Sequence, residues 1–215
     1  MNASNSSETE QFLRVAAQGG TPDWRALMAR HRDRLRRMVM LRLDQRLQGR
    51  VDPSDVLQEA FLEAVKHLED YVRQPSMPFY LWLRSITGHK LLAVHRQHLG
   101  THMRDAGREV SLYRGSLPET SSAALAAHLL GRDTRPSEAA IRAERKILLQ
   151  AALNSMDAMD REVLALRHFE HLSLAEVAQV LDIKEKAAGK RYLRALQRLK
   201  DILRAIPGSL EGLLP

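Results

Sequence analysis

The sequence predicts an all-α protein made of two small helical domains joined by a flexible linker. Apolar residues recur at three- and four-residue spacing before and after residues 106–137, without the alternation that marks strands. Residues 106–137 mix Gly, Pro, Ser and Thr and keep no helical period, although "SAALAAHLL" within them could form one short helix. We therefore expect domains over residues 8–105 and 138–206, with residues 106–137 as the linker.

Composition limits the class of protein. The 215 residues suffice for two cores, and 44% are hydrophobic but only 5% aromatic, which is typical of a helical globular protein. Cysteine is absent, which excludes a disulfide scaffold, a thiolate nucleophile and a Cys-bearing zinc ribbon. The first residues lack a signal-peptide pattern, and no apolar run approaches the roughly 20 residues of a membrane span. We expect a cytoplasmic protein without a membrane partner.

Charge is distributed in blocks along the first domain. The net charge of +7 favours a polyanionic partner, with nucleic acid ahead of membrane. Residues 21–50 contain nine arginines and three aspartates, whereas the next segment, "VDPSDVLQEAFLEAVKHLEDY" over 51–71, is acidic. A later segment, "RSITGHKLLAVHRQHLGTHMR" over 84–104, is basic again.

The acidic segment predicts a helix with one charged face. A helix that starts after Asp52 and Pro53 places Asp55, Glu59 and Glu63 on one face, with Gln58 beside them, and apolar residues on the opposite face. Like charges four residues apart destabilise a helix by a few tenths of a kcal/mol per pair, so a cationic partner would explain them. The alternative is that these carboxylates pair with arginines of residues 25–50 in the same domain.

The second domain contains a helix-turn-helix pattern. Ser173 and Glu176 have the spacing of a capping box, so a helix should start at Leu174. Asp182 tolerates a left-handed turn, and a second helix restarts near Glu185. We expect Tyr192, Leu196, Leu199 and Leu203 on its buried side. Lysines and arginines dominate the rest of this helix, as in a helix that enters the major groove. The alternative is a helical hairpin with a solvated basic face.

Two segments together resemble the sigma-70 family of RNA polymerase sigma factors. "AMDREVLALRHFEHLSLAEVAQVLDIKEKAAGKRYLRALQRLKDIL" resembles region 4, and "DVLQEAFLEAVKHLEDY" followed by "FYLWLRSITGHKLLAVHRQ" resembles region 2. Their order and the short linker resemble the extracytoplasmic-function class. The resemblance implies a bacterial protein that binds core RNA polymerase and directs it to promoter DNA, without catalytic residues, a metal or a cofactor. It also implies that the basic surfaces of the free protein are masked, either by an anti-sigma factor as a partner or by contact between its own domains.

The resemblance also implies which residues bind. In region 2, Asp55, Gln58 and Glu59 would contact the polymerase. The promoter −10 element would be contacted by Tyr71, Arg73, Tyr80, Arg84, His89, Lys90 and Arg96. In region 4, the −35 element would be read by Lys186, Lys190, Arg191 and Arg194. The chain departs from the family pattern at His89, where Asn is usual, and at Gly189, where Lys or Arg is common. Trp82 is expected in the core rather than as a platform for a base.

Two other function classes compete with this interpretation. His98 and His102 share a helix face near His95, and Asp105 could complete the ligand set of a helical metal-dependent hydrolase. No catalytic signature accompanies these histidines. A stand-alone helix-turn-helix regulator is the other alternative. The acidic helix of the first domain favours a sigma factor over such a regulator, because the regulator has no evident use for it.

Overall fold

The structure is a computed structural model that describes residues 2–20, 22–99, 117–130 and 139–204. Within these ranges every regular element is a helix, apart from one isolated bridge between Gln48 and Val51. None of the described helices combines the length and the apolar character that crossing a bilayer requires. The chain divides after Pro118 into two compact units. The predicted all-α class is confirmed.

The first unit is built from five α-helices and one 3₁₀ turn in its described part. Asp23 caps α2 (Trp24–Arg42) by accepting hydrogen bonds from the backbone N–H groups of Arg25 and Ala26. Asp52 caps α3 (Pro53–Lys66) by accepting one from the backbone N–H of Ser54 at 2.7 Å, and Pro53 occupies the first turn, where its missing N–H costs nothing. The elements are α1 (Asn2–Ala17), α2 (Trp24–Arg42), the 3₁₀ turn (Gln45–Leu47), α3 (Pro53–Lys66), α4 (Leu68–Arg73) and α5 (Phe79–Leu99).

The core of the first unit lies where α3 packs against α2 and α5. The side of α3 that was expected to be apolar is buried, with Leu57 at 1% exposure. The predicted core position of Trp82 is confirmed, since its side chain is 2% exposed. Other side chains that fill this core are Leu27, Leu35, Met38, Val56, Ala60, Ala64, Phe79, Leu83 and Leu91.

The second unit contains the helix-turn-helix. Both hydrogen bonds of the capping box are present: Ser173 N–H donates to Glu176 Oε2 at 2.7 Å, and Glu176 N–H donates to Ser173 Oγ at 3.1 Å. Asp182 ends α9 (Leu174–Leu181) in the left-handed conformation, with φ of 53°. The described elements are α6 (Ser122–Leu129), α7 (Ala139–Asn154), α8 (Ala158–Leu164), a π-helical turn (Ala165–Phe169), α9 (Leu174–Leu181) and α10 (Glu185–Arg204).

The buried side of α10 differs from the predicted one. Leu199 and Leu203 are buried as expected, whereas Tyr192 and Leu196 are only half-buried. Ala188 and Ala195 are both 0% exposed and take their place on the side of α10 that faces α8 and α9, which we call the buried seam of α10. Their small side chains allow α8 and α9 to approach α10 closely.

Part of the segment predicted as a linker belongs to the second unit. Residues 122–129 form α6, which packs on α7 and buries Leu125 and Ala126 completely. Apolar side chains of one short helix thus complete the core of this unit. Of the rest of the predicted linker, residues 106–116 and 131–137 lie outside the described residues.

Candidate partner and nucleic-acid interfaces

Three polar side chains of α3 project away from the core. Asp55, Gln58 and Glu59 are exposed, whereas Val56 and Leu57 beside them are buried. Among the described residues, neither Asp55 nor Glu59 forms an ion pair within 4 Å with Lys, Arg or His. The charge on these turns of α3 is therefore not neutralised by the arginines of α2, which was the alternative explanation for it.

Glu63, one turn further along, has a different environment. Its carboxylate lies 3.1 Å from Lys66 Nζ, 3.3 Å from His67 Nε2 and 3.2 Å from Lys90 Nζ on α5. Hydrogen bonds from Lys66, Lys90 and His67 lower the pKa of this carboxyl to about 2. Glu63 therefore holds α3 to α5, and the acidic face that is open to a partner ends at Glu59.

Two large apolar side chains extend this open face, and the sequence interpretation missed them. Leu62 is 62% exposed and Val65 is 56% exposed. Leu62 follows Gln58 by four residues and Asp55 by seven, so helical periodicity alone places it on the same side. We call Asp55, Gln58, Glu59, Leu62 and Val65 the α3 face.

Two aromatic residues expected to contact DNA are buried instead. Tyr71 is 5% exposed, stacks on Trp82 with ring centres 4.6 Å apart, and donates a hydrogen bond from its hydroxyl to the Met77 carbonyl at 2.8 Å. Burial raises the pKa of Tyr71 to about 12. Tyr80 is 4% exposed beneath the guanidinium of Arg34, which lies 3.6 Å from the ring centre. Both rings therefore belong to the apolar core of the first unit.

The predicted cations of the −10 surface do not form one cluster. Arg84 is only 6% exposed, so its assignment to DNA is also corrected. Lys90 is half-buried and engaged by Glu63. Arg73 is exposed and pairs with acidic neighbours on α4, while Arg96 is exposed and His89 is half-buried on α5. Arg73, Arg96 and His89 keep a side chain that DNA could reach.

The histidines of α5 do not assemble a metal site within the described ranges. His95 is 5% exposed, and its Nε2 accepts a hydrogen bond from the Asp44 backbone N–H at 3.4 Å. Burial lowers the pKa of His95. His102 and Asp105 lie outside the residues that the structure describes, and no group of three potential ligands occurs in the remainder.

The basic side of α10 is the most open charged surface of the second unit. Lys186, Lys190 and Arg194 are exposed and form no ion pair with another described residue. Arg191, the fourth predicted reader, is half-buried, and its Nη1 lies 3.9 Å from Asp160 Oδ1 on α8. Three of the four predicted cations thus share an unpaired surface.

The opposite side of α10 is fixed by the π-helical turn. In that turn the Glu170 N–H donates to the Ala165 carbonyl at 3.0 Å, which is the five-residue spacing of a π-helix. The turn brings His168 Nε2 within 3.0 Å of the Tyr192 hydroxyl on α10. Burial, with a smaller effect from the nearby Arg167, lowers the pKa of His168 and favours its neutral form as a hydrogen-bond partner.

Comparison with known proteins identifies both units. The family model of sigma-70 region 2 matches residues 27–99, which contain the α3 face. The model of sigma-70 region 4 matches residues 146–199, which contain the capping box, the left-handed turn and the cations of α10. The chain belongs to the sigma-70 family. The two matches cover its region 2 and its region 4 in the order expected from the sequence.

Curated relatives of this sigma-70 chain include extracytoplasmic-function factors. "ECF RNA polymerase sigma factor SigD" of Mycobacterium tuberculosis is 33% identical over 147 residues, which are 68% of this chain and 61% of the relative. "ECF RNA polymerase sigma factor SigE" of Mycolicibacterium smegmatis is 29% identical over 196 residues, which are 91% of this chain and 67% of the relative. The matched part thus spans about three fifths of the length of SigD.

A solved structure has a similar fold. CnrH, determined in complex with the cytosolic domain of CnrY, aligns with a TM-score of 0.51 and 25% sequence identity. The alignment covers 92% of this sigma-70 chain and 98% of CnrH. The similarity therefore extends over both regions of the chain.

Proposed function

We propose that this chain is an extracytoplasmic-function sigma factor that binds bacterial core RNA polymerase and directs it to promoters. Its function is binding, without a covalent step, and it takes place in the cytoplasm, where the polymerase acts. One observation carries the proposal: region 2 and region 4 occur in one chain, and each presents an unpaired charged surface, acidic on α3 and basic on α10.

The α3 face is the proposed polymerase contact. Asp55 and Glu59 lie four residues apart and repel each other by a few tenths of a kcal/mol, with no described cation to offset it. Leu62 and Val65 leave apolar area in water beside these acids. A cationic protein surface with apolar side chains would satisfy both features, whereas DNA would be repelled by the carboxylates.

The DNA contacts are proposed on both regions. On α10, Lys186, Lys190 and Arg194 would enter the major groove of the −35 element and Arg191 would approach its edge. For the −10 element the proposal retains Arg73, Arg96 and His89, and it no longer includes the buried Tyr71, Tyr80 and Arg84. Lys90 would contact phosphate only after it leaves Glu63.

An anti-sigma factor is the proposed third partner. CnrH, which has a similar fold over both regions, was determined with the cytosolic domain of another protein bound to it. An inhibitor that covers the α3 face or α10 would keep the chain from polymerase or from DNA.

Charge reversal on the α3 face tests the proposal. Asp55→Lys combined with Glu59→Lys should reduce binding of the full chain to core polymerase at least tenfold and remove run-off transcription, because attraction to a cationic partner becomes repulsion. Circular dichroism should remain unchanged, since both side chains are exposed.

A second double variant provides the matched control. Glu69→Lys with Asp70→Lys introduces the same change of charge at exposed positions of α4, outside the α3 face, and should bind polymerase like the wild type. Equal losses in both double variants would reduce the effect to net charge. Wild-type affinity of the α3 variant would refute the contact, and sequence-specific DNA binding without any polymerase binding would favour the stand-alone regulator.

A further inference from the structure

Leu193 is an exposed apolar residue in the middle of the basic side of α10. Its side chain is 65% exposed, and within the described residues of α10 it is the one large apolar side chain at this level of exposure. Lys190 precedes it by three residues, Arg194 follows it directly, and both are exposed. A single exposed leucine is common on protein surfaces, so its position decides whether it matters.

The position of Leu193 is opposite the buried seam of α10. Ala188 and Ala195, at 0% exposure, face α8 and α9. Five residues before and two residues after Leu193, these positions are turned by roughly 140° to 160° from it on a helix with 3.6 residues per turn. Leu193 therefore projects from the side of α10 that its described neighbours leave open, about 60° around the helix from Lys190 and about 100° from Arg194.

The chemistry of this surface limits what Leu193 can contact. The cations around it attract phosphates, but an isobutyl group cannot form a hydrogen bond with a phosphate or with a base edge. In the major groove, the apolar group available to a side chain is the C5-methyl of thymine. A protein partner would need a wider apolar area than one leucine surrounded by cations supplies.

We propose that Leu193 determines sequence preference in the −35 element by packing against the methyl group of a thymine. This inference rests on the proposed function, because it requires α10 to lie in the major groove. The cations position α10 on the backbone, and the leucine distinguishes thymine from cytosine and from uracil at one base pair. Sequence reasoning passed over Leu193 because it sought hydrogen-bonding readers.

Removing a single methyl group from the DNA tests the inference. The full chain, assembled with core polymerase, first selects a −35 element from a randomised promoter library. Each thymine of the selected element is then replaced by deoxyuridine, which lacks only the methyl. At one position the wild type should lose roughly three- to fivefold in promoter affinity, as expected for one buried methyl group.

Two variants make the result specific to Leu193. Leu193→Ala should bind the thymine promoter more weakly than the wild type and should not distinguish thymine from deoxyuridine at that position. Ile147→Ala removes an apolar side chain of α7 that is 68% exposed and should retain the full sensitivity of the wild type. Both positions are exposed, so equal thermal melting is expected for all three proteins.

The outcomes separate the inference from the function on which it rests. Absence of any deoxyuridine effect in the wild type, or an undiminished effect in Leu193→Ala, overturns the role of Leu193 while promoter selection by α10 stands. Failure of the wild type to assemble with polymerase or to select a −35 element overturns the proposed function, and the inference with it.

Discussion

Asp160 on α8 lies beside Arg191 on α10, with 3.9 Å between Oδ1 and Nη1. The other oxygen of this carboxylate lies 4.0 Å from the Nη1 of Arg198, which follows Arg191 by seven residues, or about two turns, on the same flank of α10. Asp160 is only 15% exposed, so its charge is held next to both arginines. Arg191 is therefore partly neutralised before DNA arrives, unlike Arg194, which has no described ion-pair partner.

Neutralising Asp160 should strengthen DNA binding. In Asp160→Asn, Arg191 and Arg198 lose a competing carboxylate, so affinity for duplex −35 DNA should rise and the counterion slope should steepen by up to about one. The loss of folding stability should stay below about 1 kcal/mol, because the pairs are long and partly exposed. Affinity measured against salt concentration checks this. Glu144→Gln, an equal change of charge at an exposed position of α7, should leave the slope unchanged.

Substitutions of Arg194 and Arg198 should have different effects on DNA recognition. Arg194 shares the open side of α10 with Lys190, so Arg194→Ala should relax −35 sequence preference at a cost of about 1–3 kcal/mol. Arg198 lies near Asp160, and Arg198→Ala should weaken all sequences alike. Competition between the preferred duplex and a scrambled one measures the ratio for each variant. An unchanged ratio in Arg194→Ala would mean that the helix faces DNA differently.

Gly189 should be replaceable without steric cost. A Cβ built on it would lie 3.5 Å from Leu174 Cδ1, which is an ordinary van der Waals contact. Because glycine inside a helix costs roughly 1 kcal/mol against alanine, Gly189→Ala should raise the free energy of unfolding by up to about that amount. Chemical denaturation measures it. A stabilised variant that binds −35 DNA more weakly would assign the glycine to close approach of the DNA backbone.

Acid should destabilise the first unit through His31. Its ring is 4% exposed between Phe79 and Tyr80, and neither ring nitrogen has a hydrogen-bond partner among the residues that the structure describes. Burial, followed by the charges of Arg34 and Arg30, lowers its pKa from 6.5 to about 4. The unfolded chain therefore binds this proton more readily than the folded one. The stabilisation that neutral His31 provides is complete above pH 6.5 and is lost as pH falls towards 4. The free energy of unfolding should decrease over this interval by up to about 3 kcal/mol.

Denaturation of the full chain at pH 7, 5.5 and 4.5 checks the effect of His31. His31→Phe keeps an aromatic ring and removes the titrating group, so the decrease in stability over this interval should become smaller. An identical pH dependence in the variant would show that other groups cause the decrease.

Local signals predicted the helix ends and the helix-turn-helix well. The capping box at Ser173, the turn at Asp182 and the start of α3 at Asp52 are encoded by side chains that bond to backbone within three residues, so sequence spacing suffices to find them. Local signals did not predict the contacts between segments that are distant in the sequence. Tyr71 packs on Trp82, and Glu63 pairs with Lys90 across 27 residues, which no local pattern reveals.

Composition was also a poor guide to α6 and to the buried seam of α10. The sequence allows one short helix at residues 122–129 but places it inside a linker, because the surrounding segment mixes Gly, Pro, Ser and Thr; the small side chains of this helix instead let it pack closely on α7. The same preference for small residues placed Ala188 and Ala195, rather than Tyr192 and Leu196, in the seam.

The π-helical turn over Ala165–Phe169 makes the length of this segment matter as much as its composition. A π-turn holds one residue more than the α-turn it replaces, so the segment is equivalent to a one-residue insertion into α8. Deleting one residue would allow an ordinary α-turn to form in its place and would remove the bulge that brings His168 to Tyr192. A point substitution in this segment keeps the extra residue, whereas a single-codon deletion would remove it together with the hydrogen bond between the turn and α10.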